Sequence, residues 1–367
     1  MLNQRVTWLP FGLSRYTGRQ VVVGGLIVVA LLLLPMLDSN SSHISAVADA
    51  GYILLLAFGL NIIVGYTGLL ALGFAAFFAI GAYTYAFVAS PQLASTAHPD
   101  GYHVSFWLML LVSAAVAAAF GVILGAPTLR LRGDYLAIVT LGFGEIVPQL
   151  FQNLDKWTGG PDGIAAVDQP VLGSYHFGFN PTPYYYLYMA VICICLILLA
   201  NLRNSRLGRA WMAIREDELA AEHMGINTMT AKLLAFSMGA AFAGVAGVIY
   251  AAKLSTISPS GFDFNMSIMI LAAIVLGGMG NLSGVLVGGS IVAMLNFLIL
   301  PQASNWAHAI GASIHSTFLM NVDLTQYRFM LYGVILVLVM LFRPEGLIPS
   351  ATVRAELRES MKSPEVA

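Results

Sequence analysis

Glu145 stands in the middle of an apolar run, beside Gly142 and Gly144 and three residues ahead of Pro148. An ionisable side chain at the centre of a bilayer costs at least about 2.5 kcal/mol unless it is paired or hydrated. Two chemistries fit it: a structural glutamate held by an internal donor, or a group lining a polar pathway. Pro148 favours the second, because it frees a backbone carbonyl nearby and predicts a kinked helix bordering water. A second unusual stretch is LGGMGNLSGVLVGG at 276–289, with glycines at 277, 278, 280, 284, 288 and 289. Glycine costs a helix interior about 1 kcal/mol relative to alanine, so Gly277, Gly278, Gly280 and Asn281 predict a broken helix or tight turn at the mouth of a path. Close helix packing through small residues accounts for part of the same pattern. A third stretch, NIIVGYTGLLALGF, predicts a tight turn at Gly65, Tyr66 and Thr67. These polar and backbone groups could pass a small solute; none is arranged for catalysis. There is no GxxxxGK[ST] loop, no HExxH, no metal-ligand set and no nucleophile triad, and the histidines are scattered.

The remaining chemistry-bearing segment is the most charged. Residues 203–225 hold Arg203, Arg206, Arg209, Arg215, Glu216, Asp217, Glu218 and Glu222. Leu207, Ala210, Trp211 and Ile214 fall on one helical face with charges on the others. Ser205 can cap the first turn, and Gly225 can end the last in a left-handed conformation. Such a helix either lies on anionic lipid or docks on a soluble partner. Its mixed sign favours the partner, since a lipid-binding face is dominated by Lys and Arg.

The elements that must position these groups are membrane spans. The chain is 58% hydrophobic and 10% charged, with mean hydropathy +0.80, against about 25% charged in soluble domains. Its net charge of −1 leaves no nucleic-acid footprint. Cys193 and Cys195 sit two apart on a helix, point to different sides and cannot pair. Apolar runs near 21–37, 44–64, 69–90, 104–126, 135–152, 184–201, 231–251, 266–277, 284–300 and 327–342 predict about ten crossings. With the N-terminus inside, alternate segments on the cytoplasmic side hold 14 of the 17 Lys and Arg; only Lys156, Lys253 and Arg328 remain outside. The expected fold is therefore an all-α polytopic membrane protein, N-in and C-in, with broken helices and one charged cytoplasmic loop. Three regions follow: a cytoplasmic segment 1–20, a membrane domain 21–348 containing the loop 203–227, and a cytoplasmic tail 349–367. Ala46, Val47 and Ala48 resemble a signal-peptidase site but lie about ten residues past the first apolar run, so that run reads as an uncleaved anchor. The loop 153–183 is external, rich in aromatics, and expected to pack as a lid or docking surface; the external loops 91–103 and 301–326 are polar and hold no Lys or Arg.

Five blocks in order, GYTGLLALGFAAFFAIGAYT, RLRGDYLAIVTLGFGEI with TGGPDGI, NSRLGRAWMAIREDELAAEHMGI, GGMGNLSGVLVGG and YRFMLYGVILVLVMLFRPEGL, resemble those of the LivM-type permease subunits of branched-chain amino-acid ABC importers. The resemblance covers about residues 50–348. It implies a non-catalytic subunit of the bacterial inner membrane, paired with a second homologous permease, two cytoplasmic ATP-binding subunits and an extracytoplasmic binding protein. It places ATP, the one cofactor involved, on the partners. It implies that Arg209, Arg215, Glu216, Asp217, Ala220 and Gly225 belong to the element that docks on an ATPase. Where the family often has a polar residue, commonly His, this chain has Phe74. Relatives of similar sequence carry urea, short amides or neutral amino acids, so the expected cargo is a branched-chain or other neutral amino acid, with urea or a short amide as the alternative. The competing class is an ion-coupled secondary transporter, which predicts several intramembrane carboxylates; only Glu145 clearly qualifies.

Overall fold

A computed structural model describes residues 31–36, 40–91, 102–129, 131, 133–314, 321–343 and 345–348. Helices fill most of the described apolar runs: α1 Ser41–Leu60, α2 Ala75–Ala89, α3 Phe106–Thr128, α4 Asp134–Asn153, α5 Pro181–Asn204, α6 Arg206–Glu216, α7 Glu218–His223, α8 Thr228–Leu254, α9 Phe264–Gly277, α10 Leu282–Met294, α11 Leu300–Ile314 and α12 Arg328–Phe342. Most of the first apolar run, the segment 1–20 and the tail 349–367 lie outside the described residues.

Side-chain caps set many of the boundaries. Asn40, Asn180, Ser205, Asp217, Asn227 and Asp263 each accept a hydrogen bond from a backbone N–H in the first turn that follows, answering donors that a helix start leaves free. The centre of the molecule is the crossing of α8 with α1, α2 and α3, where glycine replaces side chains. A Cβ on Gly81 would lie 2.4 Å from the Cα of Gly244, and one on Gly59 2.6 Å from the carbonyl oxygen of Gly239. Small residues let backbones meet at this distance, which is how helices associate where lipid already satisfies apolar side chains.

Seven stretches among the described residues are long and apolar enough to cross a membrane: Ser41–Tyr66, Phe106–Thr128, Pro181–Asn204, Thr228–Leu254, Pro259–Gly277, Leu282–Ile314 and Leu324–Phe342. The chain is a multi-pass, helical membrane protein. Several details differ from the sequence reading. The run 69–90 is a span only in part: residues 68–74 are non-helical and α2 begins at Ala75. The run 284–300 continues through a π-helical turn, Leu295–Ile299, into α11, so residues 301–314 are helix and not loop. The segment 153–183 contains β1 Ile164–Ala165, β2 Val171–Leu172 and β3 Tyr175–His176; β4 is Thr256–Ile257. β1 pairs antiparallel with β4 through Ile164 and Ile257, and β2 pairs with β3. These short ladders pin the loop to the end of α8.

Candidate functional site: the junction of the charged loop with the broken helices

The charged segment is two helices, not one. Asp217 is extended (φ −154°), ends α6 and caps α7 through the N–H of Ala220. Ser205 caps α6 and Gly225 turns left-handed (φ +84°), both as the residue pattern predicts. The apolar face of α6 packs inward: Trp211 is fully buried and donates its indole N–H to the carbonyl of Ala231 at 2.7 Å, with Ile214 buried beside it. Lys232 is buried on α8 and holds Glu218 of α7 at 2.5 Å. The opposite side is open. Arg209, Glu216, Asp217, Ala220 and Gly225 are exposed, together with the apolar Leu219 and Met224, at 57% and 83%.

Arg215 departs from that outward face. Four residues after Trp211, it lies at the edge of the buried side, and its Nη1 donates to the carbonyl of Gly65 at 2.6 Å. That carbonyl is available because α1 ends in a π-helical turn, Asn61–Tyr66, whose last oxygens run out of in-helix partners. A cation at a helix C-terminus also answers the negative end of the dipole. Gly65 could not be another residue, since its Cβ would fall 2.0 Å from Asn61 Oδ1 and 2.7 Å from the nitrogen of Gly280. Asn61 Oδ1 accepts from the Gly280 N–H at 3.0 Å, while its own buried Nδ2 finds no partner among the described residues. Gly280 has φ +80°, and a Cβ there would meet Arg215 Nη1 at 2.8 Å and the Gly65 oxygen at 2.9 Å.

The broken helix is completed by the end of the described chain. Leu347 and Ile348 donate their N–H groups to Leu276 and Gly277, each at 3.0 Å. Asn281 Nδ2 donates to the carbonyl of Ile348 at 2.9 Å, and Gly278, at φ +113°, admits that carbonyl where a Cβ would clash at 2.7 Å. Gly65 and Gly280 therefore meet, next to the 277–281 break, in a close-packed junction, and Gly65, Tyr66 and Thr67 are buried.

Glu145 belongs elsewhere. It is exposed on α4, on a face with Tyr135, Ile138, Ile146 and Leu150. The other side of α4 is anchored: Gly144 abuts Gly73, and Thr140 Oγ1 accepts from the Leu72 N–H at 3.1 Å. Gly142 has no neighbouring atom within reach of a Cβ. Leu72, within the non-helical stretch 68–74, thus finds its acceptor on a distant helix, and so does Ala75 at the start of α2, whose N–H donates to Ser267 Oγ at 3.0 Å. Phe74, where the family often carries a polar residue, is fully buried beside Phe77. Sequence reasoning missed Asn61, Ile348, Thr140 and Ser267. Only Asn61, a lone amide in an apolar run, carried a local signal.

The profile described as "Branched-chain amino acid transport system / permease component" matches residues 43–340. The chain belongs to this family. It is 36% identical to the high-affinity branched-chain amino acid transport system permease protein LivM of Escherichia coli, over 93% of this chain and 79% of that one. It is 25% identical to a probable LivM of Methanocaldococcus jannaschii, over 67% and 70% of the two chains. A shorter match, 33% identity over 40% of this chain, joins it to the LivH permease protein of Escherichia coli. No solved structure gives a significant match. As a permease component it is a transporter subunit and not an enzyme.

Proposed function

We propose that this chain is one of two homologous permease subunits that together import branched-chain amino acids across the inner membrane, driven by ATP hydrolysis on two separate cytoplasmic subunits and supplied by an extracytoplasmic binding protein. The observation that carries the reading is the junction of Arg215 with Gly65 and Gly280. The exposed α7 face, with Leu219, Ala220 and Met224, is the part offered to an ATPase, and Trp211 keeps α6 attached to the membrane domain. A push on α6 reaches α1 and the broken helix through Arg215. π-turns inside helices are frequent at functional sites, and the Nδ2 of Asn61, without a partner among the described residues, is a donor that another state can satisfy.

The partner permease is supported by the likeness of this chain to both LivM and LivH. The exposed face of α4 is the surface that requires one, since Glu145 cannot face lipid cheaply. Glu145 then lines a path shared by the two permeases. The topology is ten spans with both ends inside: the seven long helices plus the runs 21–37, 69–90 and 135–152. In its support, segments read as cytoplasmic meet at one end (Gly65, Arg215, Gly280, Ile348) and segments read as external meet at another (Ala89, Asp168, Ser255).

Uptake of labelled leucine, isoleucine, valine, urea and acetamide into proteoliposomes holding the assembled transporter tests the reading. ATP-dependent import of the three branched amino acids is expected, abolished when the ATPase subunits are inactivated. Import of urea or acetamide alone would reassign the substrate, and import driven by an ion gradient without ATP would reject the class.

A further inference from the structure

The three non-glycine residues with left-handed backbone among the described residues are His103 (φ 43°), Ala166 (φ 54°) and Ser255 (φ 55°). All three line one cavity of about 720 Å³ at the external end of the molecule. Such conformations persist only where surrounding structure enforces them, and they gather at binding and switching sites. The enforcement is visible. The Asp168 N–H donates to Ala89 at 2.8 Å, and Tyr85 Oη donates to the Asp168 carbonyl at 2.8 Å. Val167 N–H donates to Ser255 at 3.0 Å, and Gln169 Nε2 donates to Ser255 Oγ at 3.0 Å. The Asp168 carboxylate is thereby held at the wall of the cavity, with Oδ2 on His103 Nδ1 at 2.6 Å.

The lining is chemically mixed. It has one carboxylate (Asp168), two imidazoles (His103, His176), and apolar walls that include Phe106, Phe179 and Val171; among the described residues no Lys or Arg lines it. The volume falls within the range of small-molecule sites, about 300–1,000 Å³. A carboxylate attracts an ammonium, imidazoles and backbone N–H groups serve a carboxylate, and aromatic walls take an apolar side chain.

We propose that this cavity is an entry site for a free zwitterionic amino acid with an apolar side chain. The Asp168 carboxylate takes the α-ammonium, His176 faces the α-carboxylate, and Phe106, Phe179 and Val171 receive the side chain. The identity of the amino acid rests on the substrate proposed above, but occupancy of the cavity does not require transport.

The test uses the assembled transporter in nanodiscs, without binding protein, and a leucine analogue carrying a diazirine in its side chain. Photolabelled peptides are mapped by mass spectrometry. Labels should fall in 103–107 and 166–179. Excess leucine should compete, while isocaproate, which lacks the ammonium, and isoamylamine, which lacks the carboxylate, should not. Asp168→Asn, which preserves the backbone bonds, should cut labelling about tenfold, with subunit co-purification and basal ATPase activity unchanged. His176→Ala should lower labelling by the leucine analogue and weaken its competition by leucine. Labelling outside these peptides, labelling insensitive to Asp168→Asn, or equal competition by all three compounds would overturn the proposal. So would a loss of binding-protein capture by Asp168→Asn with labelling unchanged, which would make the cavity a socket for that protein. A transporter that imports no branched amino acid yet shows the competed label would reject the function proposed above and leave the site standing.

Discussion

Arg215 is the residue on which the coupling account turns, and its neighbours make the account specific. Gly280→Ala would insert a Cβ at φ +80°, 2.8 Å from Arg215 Nη1 and 2.9 Å from the Gly65 oxygen. A left-handed alanine costs about 1–2 kcal/mol before any clash. The expected result is uptake lowered at least about tenfold, with the protein still in the membrane and still co-purifying with the ATPase subunits; normal uptake would show that the junction tolerates being opened. Glu145→Gln keeps shape and removes charge, so transport should fall with assembly intact, whereas loss of the assembled complex would give Glu145 a structural role. The sequence made Arg215 legible as part of a docking helix, through the charges around it and the Trp211–Ile214 face. Its inward turn was not legible, because the Gly65 carbonyl is 150 positions away in sequence and becomes an acceptor only through the π-turn. The glycine pattern marks Gly65, Gly280 and Asn281 for backbone irregularity, and the structure shows it as a π-turn and left-handed glycines, with residues 346–348 packed against the break.

At the scale of elements, the glycine-lined crossing and the charged loop make separate demands. Gly81→Val would drive a branched side chain into Gly244, 2.4 Å from the position of its Cβ. Neither backbone can move without displacing α3 as well. Overpacking typically costs about 1–3 kcal/mol, so less protein should survive detergent extraction at elevated temperature; an unchanged melting temperature would contradict this packing. Lys232→Ala leaves Glu218 without its buried ammonium and removes the link from α7 to α8. Faster amide hydrogen exchange across 217–226 is expected, and exchange unchanged from the wild type would detach the ion pair from the stability of the loop. The apolar periods located most helices, as did the polar residues that cap them. They failed where the backbone depends on partners remote in sequence. Residues 68–74 look like the start of a span because they are apolar, yet the Leu72 N–H is answered by Thr140 across the fold, and Ser267 takes the first-turn N–H of Ala75 where α2 begins. The helix at 300–314 was read as loop because its residues are polar enough to resemble one, although the π-turn at Leu295–Ile299 carries the hydrogen-bonding on.

At the scale of the molecule, the charge pattern and the contacts agree on two ends. One joins the charged loop to the broken helices, and the other holds the cavity lined by His103, Ala166 and Ser255. Single cysteines at 205 and 224 should react with a membrane-impermeant thiol reagent only from the cytoplasmic face, and at 173 only from outside; labelling of 173 and 224 from one face would break the ten-span topology. The most direct measurement of the central claim is the number of leucine molecules imported per ATP hydrolysed by the reconstituted transporter, wild type against Arg215→Ala. Hydrolysis should continue at a comparable rate in the variant while import collapses, with partial recovery in Arg215→Lys, which restores the charge without the planar fork. An unchanged ratio in Arg215→Ala would show that motion of the charged loop reaches the membrane helices by another route.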